Sequence, residues 1–433
     1  MSYFKVTGNV KLKGEIKPSG NKNEALPVIA ASILTDKKII LKNVPEIKDV
    51  NVLLDILKDI GVEISRIKKN VFMINPAKVE KWNIDSKLGS KIRGSLPLIA
   101  SLISRLKKVY FPIPGGDKIG RRRLDTHLLA LNKLGVSYKY DEKVEKIKFN
   151  IKDGLNGNDI LLDEASVTAT ENAIIAAVLA DGITTIYNAA CEPHIQGLCK
   201  FLNKLGANIK GIGTNYLKVE GVDKLKGGEY TIQDDHIEVG SFMGLAAITN
   251  SELTIKNVYD SETNYMDIIG REFNRIGLNF KKKGKDLYIP AQKNLKIRPD
   301  FRNKIPKISD GTWPKFPADL ISIMIVAATK SKGSVVIHEK MFESRMFFVD
   351  KLISMGARVV LCDPHRVVVT GPSTLYGSEV ASPDIRAGIS LLLAALGAEG
   401  ESIIHNIYQI DRGYEKIDER LRKIGAKIER VES

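Results

Sequence analysis

The sequence predicts an α/β protein of two domains, each built from three copies of one helix–strand unit. Three observations carry that expectation. First, six amphipathic helices end in an apolar residue followed by glycine, at Ile60-Gly61, Leu134-Gly135, Leu205-Gly206, Ile276-Gly277, Met355-Gly356 and Ile424-Gly425. Successive glycines lie 69 to 79 residues apart, close to one sixth of the chain, and a fixed period of this kind marks an internal repeat. Second, apolar helical segments lead into short strands that end in turns, as Leu26–Leu34 leads into Ile39–Asn43 and Leu391–Leu396 into Ser402–Asn406. Third, 433 residues exceed one ordinary hydrophobic core and fit two or three domains.

Taken in order, each unit places an all-round apolar helix inside and an amphipathic helix outside. In the first outer helix Val50, Leu53, Leu54, Leu57 and Ile60 keep helical period, and in the last Tyr414, Ile417, Leu421 and Ile424 do so. Each terminal glycine stands where a helix C-cap favours a left-handed residue. The inner helices open at Ser19–Asn23, Ser90–Gly94, Ser166–Thr168, Asp235–Glu238, Phe316–Asp319 and Pro383–Arg386. Ser and Asp there serve as N-caps, but Lys22, Arg93 and Arg386 oppose the helix dipole. Cations at those positions point to an anionic ligand. If the six helix starts converge, they form an anion-receiving cleft between two domains.

One stretch concentrates polar chemistry, running from Pro114-Gly115-Gly116-Asp117 through Arg121-Arg122-Arg123 to His127. A two-glycine turn brings backbone close to a ligand. Arginines bind phosphate and carboxylate through paired hydrogen bonds, and a carboxyl group among them can move a proton. His127, a single histidine beside an arginine run, is open to a structural or a catalytic reading.

Composition excludes several classes. Hydrophobic residues make up 43% and charged residues 27% of the chain, which describes a folded globular protein. A net charge of +15 comes from Lys scattered through nearly every segment. No basic arm carries interleaved aromatics, so a nucleic-acid partner is not expected. No apolar run reaches the length of a membrane span, and the N-terminal residues lack a signal-peptide pattern. Three cysteines, Cys191, Cys199 and Cys362, show neither metal spacing nor an even disulfide set. Cys191 and Cys199 are read as small buried residues flanking the third outer helix. The expectation is a cytoplasmic protein without membrane or nucleic-acid partners. P-loop, zinc and G-x-S-x-G signatures are absent.

Several segments then carry a resemblance: Ser19–Pro27, Pro114-Gly115-Gly116, Phe316–Asp319, Phe342-Glu343-Ser344-Arg345 and Asp411–Glu415. Together they make the chain, end to end, similar to the UDP-N-acetylglucosamine 1-carboxyvinyltransferase family of enolpyruvyl transferases. The resemblance implies a two-domain inside-out α/β barrel of six βαβαββ-like repeats, three per domain. It places residues 22–235 in one domain and residues 1–21 with 236–433 in the other, with a hinge at the two crossings. It implies transfer of the enolpyruvyl group of phosphoenolpyruvate to the 3′-hydroxyl of UDP-N-acetylglucosamine, with release of phosphate through a tetrahedral intermediate. This is the first committed step of peptidoglycan precursor synthesis, and neither metal nor cofactor is implied.

Residue by residue, the resemblance assigns Lys22, Arg122 and Arg412 to the phosphate of phosphoenolpyruvate. Arg345 and Arg386 match basic residues near its carboxylate or the closed cleft, and Asn23 lies near the sugar and the intermediate. Asp319 is the general base for the hydroxyl. The nucleotide sugar would lie along Arg93, Arg122, Arg123, Leu124, Asp125, Thr126, Glu164, Ala165, Ser166, Val167, Asp319 and Met341. Asp117 departs from the family's usual loop Cys, the proton donor that fosfomycin alkylates. A carboxyl group can still deliver a proton, and it is a poor nucleophile towards the epoxide, so activity with intrinsic fosfomycin resistance is expected. Arg123, Glu164, Thr168 and His236 also depart from frequent family residues and bear on the nucleotide contacts. Two alternatives stand beside this reading. One is 5-enolpyruvylshikimate-3-phosphate synthase, whose first-helix Gly-x-Lys-Ser differs from Lys22-Asn23. The other is a catalytically inactive binding paralogue.

Overall fold

The computed structural model describes residues 2–117, 119–259 and 264–432. The chain forms two compact units. Unit 1 comprises Met1–Ser19, Asp117–Arg121 and Asp234–Ser433, and unit 2 comprises Gly20–Gly116 and Arg122–Gln233. Each has its own buried apolar core.

All six marker glycines have left-handed backbone, with φ between 91° and 105°. Each also makes the same pair of hydrogen bonds. The Gly61 N–H donates to Lys58 O and the Val62 N–H to Leu57 O, and the equivalent bonds close the helices before Gly135, Gly206, Gly277, Gly356 and Gly425. This Schellman geometry satisfies carbonyls that a helix end leaves open. A Cβ at these positions would be strained, because L residues seldom tolerate positive φ. Valine, leucine or alanine follows each glycine; five of these six residues are buried, and Ala207 is half-buried against the core.

The inner helices of unit 2 are Lys22–Ala31, Leu98–Leu106 and Val167–Ala177. The second packs on both others, tied by Ser101 Oγ to Ala30 O at 2.8 Å and by the Ala100 N–H to Asn172 Oδ1 at 3.2 Å. In unit 1, His236–Thr249, Ile321–Ala328 and Ile385–Gly397 pack pairwise on one another. Gly240 and Gly244 make that approach possible, since a Cβ there would fall 2.5 Å from Leu320 Cδ1 and 2.4 Å from Ile323 Cγ2. Small sheets cover the helices, with one apolar face inward. In Ile39–Lys42, for instance, Ile39 and Leu41 are buried while Ile40 and Lys42 are half-exposed, the alternation expected of a strand.

Strand exchange closes each unit. Gly228–Thr231, from the third repeat, pairs in parallel with Ile39–Lys42 of the first. In unit 1 the N-terminal strand Tyr3–Thr7 lies between Glu401–His405 and Lys427–Val431, and Lys13–Ile16 pairs in parallel with Glu252–Ile255. The first residues of the chain are thereby built into unit 1.

Three local expectations differ from the structure. Cys199 lies inside the outer helix Pro193–Lys204 rather than beside it, with only Cys191 preceding that helix; both thiols are buried. The second inner helix starts at Leu98, behind a short 3-10 turn over Arg93–Ser95, because Pro97 serves as its N-cap. Tyr414 is not on the last outer helix, which spans Ile417–Arg422, because left-handed Lys416 (φ 42°) interrupts the chain between them.

Candidate active site

In unit 2, Lys22 occupies the first turn of its inner helix. Asn21 caps the helix, its Oδ1 accepting from the N–H groups of Asn23 and Glu24 at 2.9 and 3.3 Å. Pro27 lacks the N–H that would bond the Asn23 carbonyl. Lys22 is 8% exposed, and its ammonium pairs with Asp49 Oδ2 at 2.7 Å. A buried cation at a helix start is costly, and Asp49, from the first turn of the outer helix Lys48–Asp59, offsets that cost.

Arg93 and Arg122 form the second feature of this unit. Arg93 Nη2 donates to the Arg123 carbonyl at 2.8 Å. The Gly115-Gly116 turn packs on both side chains: at Gly116, with φ 113°, a Cβ would fall 3.1 Å from Arg93 Cβ and 3.6 Å from Arg122 Nη1. Burial, and then the like charge of Arg122, pull the Arg93 guanidinium down to about 10, with Glu164 opposing. An anion placed at these two arginines would relieve their repulsion. Arg123 instead pairs with Asp163 at 3.0 Å and Asp125 at 3.3 Å. Thr126 Oγ1 donates to Asp163 at 2.7 Å, and Ser166 caps the third inner helix.

His127 is 2% exposed and structural. Asn172 Oδ1 accepts from the Ala100 N–H, which fixes the amide, so Asn172 Nδ2 donates to His127 Nδ1 at 2.8 Å. The proton therefore sits on Nε2, which donates to Thr168 Oγ1 at 3.0 Å. Burial first, and Arg93 and Arg122 next, hold this imidazole down to about 3.

In unit 1 the centre is Asp319, in the short turn Ala318–Leu320 before the inner helix. Its Oδ1 accepts from Arg345 Nη2 at 3.1 Å and its Oδ2 from Arg386 Nη2 at 2.8 Å. Both arginines are buried. Arg386 Nη1 also donates to the Tyr414 hydroxyl at 3.1 Å, which meets Ser241 Oγ at 2.9 Å. Burial alone would lower the Arg386 pKa, but Asp319, Tyr414 and Asp235 outweigh it and raise it. Asp384 caps the helix that carries Arg386, its Oδ1 accepting from the N–H groups of Arg386 and Ala387 at 2.8 and 2.9 Å.

Asp117 is also part of unit 1. Its Oδ1 accepts from Arg412 Nη1, which also donates to Gln409 at 2.8 Å. Burial raises the Asp384 carboxyl, and Asp117 raises it further while Arg345 opposes, so Asp117 and Arg345 both act electrostatically on Asp384. The segment is docked by Ser344 N to Ile119 O at 3.1 Å and by Arg121 N to Glu343 Oε2 at 3.0 Å. The Phe342–Arg345 motif thus divides its work: Glu343 and Ser344 hold the loop, and Arg345 holds Asp319.

The structure thus brings the sequence-derived residues into two groups. Asp117, Asp319, Arg345, Arg386 and Arg412 cluster in unit 1, with Met341 half-buried beside Glu339. Lys22, Asn23, Arg93, Arg122 and the 123–126 and 164–167 segments belong to unit 2. Asp125 and Glu164 are exposed, Asp125 pairing with Arg123 and Glu164 acting on Arg93. Sequence reasoning missed Asp49, Asp163 and Glu339 as partners, because no local pattern links them to Lys22, Arg123 and Arg345. Among the described residues no group of three or more His, Cys, Asp or Glu is arranged to hold a metal ion.

Comparison with known proteins decides the family. Residues 6–421 match the family model described as EPSP synthase (3-phosphoshikimate 1-carboxyvinyltransferase). A UDP-N-acetylglucosamine 1-carboxyvinyltransferase from Treponema denticola is 52% identical over 429 residues, 99% of both chains. One from Borreliella burgdorferi is 51% identical over 433 residues, covering both chains fully. The chain belongs to the UDP-N-acetylglucosamine 1-carboxyvinyltransferase family. A family member from Bacteroides fragilis is 49% identical, again over the full length of both chains. Among solved structures, the enolpyruvyl transferase NikO from Streptomyces tendae has a TM-score of 0.89 at 22% identity, over 100% of this chain and 99% of that one. An EPSP synthase from Acinetobacter baumannii has a TM-score of 0.75 at 19% identity over both full chains. These two establish the fold, the two-domain inside-out α/β architecture of enolpyruvyl transferases.

Proposed function

We propose that this protein transfers the enolpyruvyl group of phosphoenolpyruvate to the 3′-hydroxyl of UDP-N-acetylglucosamine and releases phosphate. The observation that carries the reading is near-50% identity over the whole chain to enzymes of that name. The buried cations support it, since a multiply charged anion that loses water needs fixed positive partners.

In this reading Lys22, Arg122 and Arg412 take the phosphate of phosphoenolpyruvate, and Arg345 and Arg386 take its carboxylate. Asn23 orients the sugar. Arg93, Arg122–Thr126, Glu164–Val167 and Met341 take the nucleotide sugar. The 3′-oxygen bonds to C2 of phosphoenolpyruvate while a proton reaches C3, giving a tetrahedral intermediate with a methyl group. Loss of a methyl proton and of the C2–O bond to phosphate then gives the enol ether. Asp319 receives the hydroxyl proton, and its two guanidinium partners fix the carboxylate's direction. Asp117 delivers the proton to C3, in place of a thiol. Because a carboxylate attacks an epoxide poorly, the enzyme resists fosfomycin. The protein acts in the cytoplasm, in peptidoglycan precursor synthesis. No helix among the described residues is long and apolar enough to cross a membrane.

Product analysis tests the substrate assignment. Incubation with phosphoenolpyruvate and an equimolar mixture of UDP-N-acetylglucosamine and shikimate 3-phosphate, followed by mass spectrometry, should yield only the nucleotide-sugar enol ether. An adduct of shikimate 3-phosphate would assign the chain to the alternative enzyme, and no adduct would indicate a binding paralogue.

A further inference from the structure

Behind Arg345 lie two carboxyl groups that the proposed reaction does not use. Glu339 is fully buried and Asp310 is 1% exposed. One oxygen of each is committed to backbone. Glu339 Oε1 accepts from the N–H groups of Met341 and Phe342 at 3.0 and 3.1 Å, and Asp310 Oδ1 accepts from that of Lys340 at 2.6 Å. The other two, Glu339 Oε2 and Asp310 Oδ2, are buried acceptors without a donor among the described residues. The two carboxyl groups cap successive N–H groups of one turn, Asp310 at Lys340 and Glu339 at Met341 and Phe342, and Asp310 is close enough to raise the Glu339 carboxyl.

Two ionised carboxylates cannot share a dry site cheaply, and two orphaned acceptors are costly as well. One proton between Oε2 and Oδ2 removes both penalties. We propose that Glu339 and Asp310 share a single proton and act as the positioning pair for Arg345.

Arg345 fits that role. Its Nε lies 3.5 Å from Glu339 Oε2, too far for a hydrogen bond, and its Nε and Nη1 have no hydrogen-bond partner among the described residues although the side chain is buried. Its Nη2 alone is spent, on Asp319. A fully charged Glu339 would draw Nε in and neutralise the guanidinium. A shared-proton pair supports the group and leaves two donors for an anion. Burial, and then Asp310, push the Glu339 carboxyl up against the opposing charge of Arg345. The groups facing Glu339 are Asp310, which follows the strand Lys307–Ser309, Arg345 itself, and His365, whose Nδ1 lies 3.0 Å from the Glu339 carbonyl oxygen.

The kinetic part of this inference rests on the proposed transferase reaction; the proton itself is tested independently. Infrared difference spectroscopy of the full chain near neutral pH should show a protonated-carboxyl stretch that is lost in Glu339→Gln. In phosphate-release assays Glu339→Ala should raise the KM for phosphoenolpyruvate about tenfold with a smaller change in kcat, as removal of an aligned binding donor does. Glu339→Gln should rescue most of that loss, because its amide donates to Asp310 as the acid does. Asp310→Asn should mimic Glu339→Ala, since its amide holds Glu339 ionised beside Arg345. Absence of the carboxyl band in the folded parent overturns the proposal. So does a folded Glu339→Gln as impaired as Glu339→Ala. If Glu339→Ala fails to fold, the band and the Gln variant still decide. A parent without transferase activity would defeat the reaction assignment and leave the band to decide the shared proton.

Discussion

Acidification should destabilise unit 2 through His127 in a way that can be isolated. The imidazole is buried with its Nδ1 accepting from Asn172, so a second ring proton would face a donor as well as lose water. Its folded pKa is held down to about 3, against about 6.5 in an unfolded chain. Between those values the unfolded state binds more protons, so stability rises with pH there and is lost as pH falls below about 6.5. At pH 5 the unfolded imidazole is protonated and the folded one is not. The gap of about 1.5 pK units, at about 1.36 kcal/mol each, amounts to about 2 kcal/mol. Other groups titrate too. Asp235, raised to about 6 chiefly by burial, acts in the opposite direction and gains stability as pH falls. Comparison with His127→Gln cancels them. Urea unfolding of parent and variant at pH 7 and pH 5 should show the parent losing about 2 kcal/mol more than the variant. Parallel losses would refute the buried neutral imidazole, as would an NMR titration of His127 with its midpoint near 6.

Three further outcomes follow from the same geometry. Asp117→Cys should remain active and become irreversibly inactivated by fosfomycin, while the parent keeps its activity after the same incubation; inactivation of the parent would contradict the reading of Asp117. Gly120→Ala should lower kcat about tenfold and cost about 1–2 kcal/mol, because φ is 126° and the new Cβ would meet Glu343 Oε2 at 2.2 Å. Unchanged kinetics and urea midpoint would show that the docking of Asp117–Arg121 is not needed. Asp319→Asn should lower kcat about 10²-fold through loss of the base and should destabilise unit 1 by about 2 kcal/mol, discounted for partial exposure, because two buried guanidiniums lose their anion. A variant of near-parent kcat would remove Asp319 from the chemistry.

The repeat was legible because its signal is local. A glycine after an apolar helix end encodes a left-handed cap, and all six such glycines adopt it with identical hydrogen bonds. Inner helices were legible as apolar on every side, and Asn21, Ser166, Asp235 and Asp384 cap them as short-range chemistry requires. What escaped were pairs made by chain segments far apart or by a backbone break. Nothing near Lys22 announces Asp49, and nothing near Arg345 announces that Asp310 stands against Glu339. Tyr414 keeps the helical spacing of Ile417 and Leu421, yet Lys416 turns the chain between them, so periodicity alone misplaced it. His127 has neighbours at residues 168 and 172 that no window around it contains.

Dependence of phosphate release on the second substrate tests the central claim most directly. With phosphoenolpyruvate and UDP-N-acetylglucosamine together, the parent should release phosphate stoichiometrically with the enol ether and should do so after incubation with fosfomycin; with phosphoenolpyruvate alone it should release none. Release independent of the nucleotide sugar, or none with it, would contradict the account.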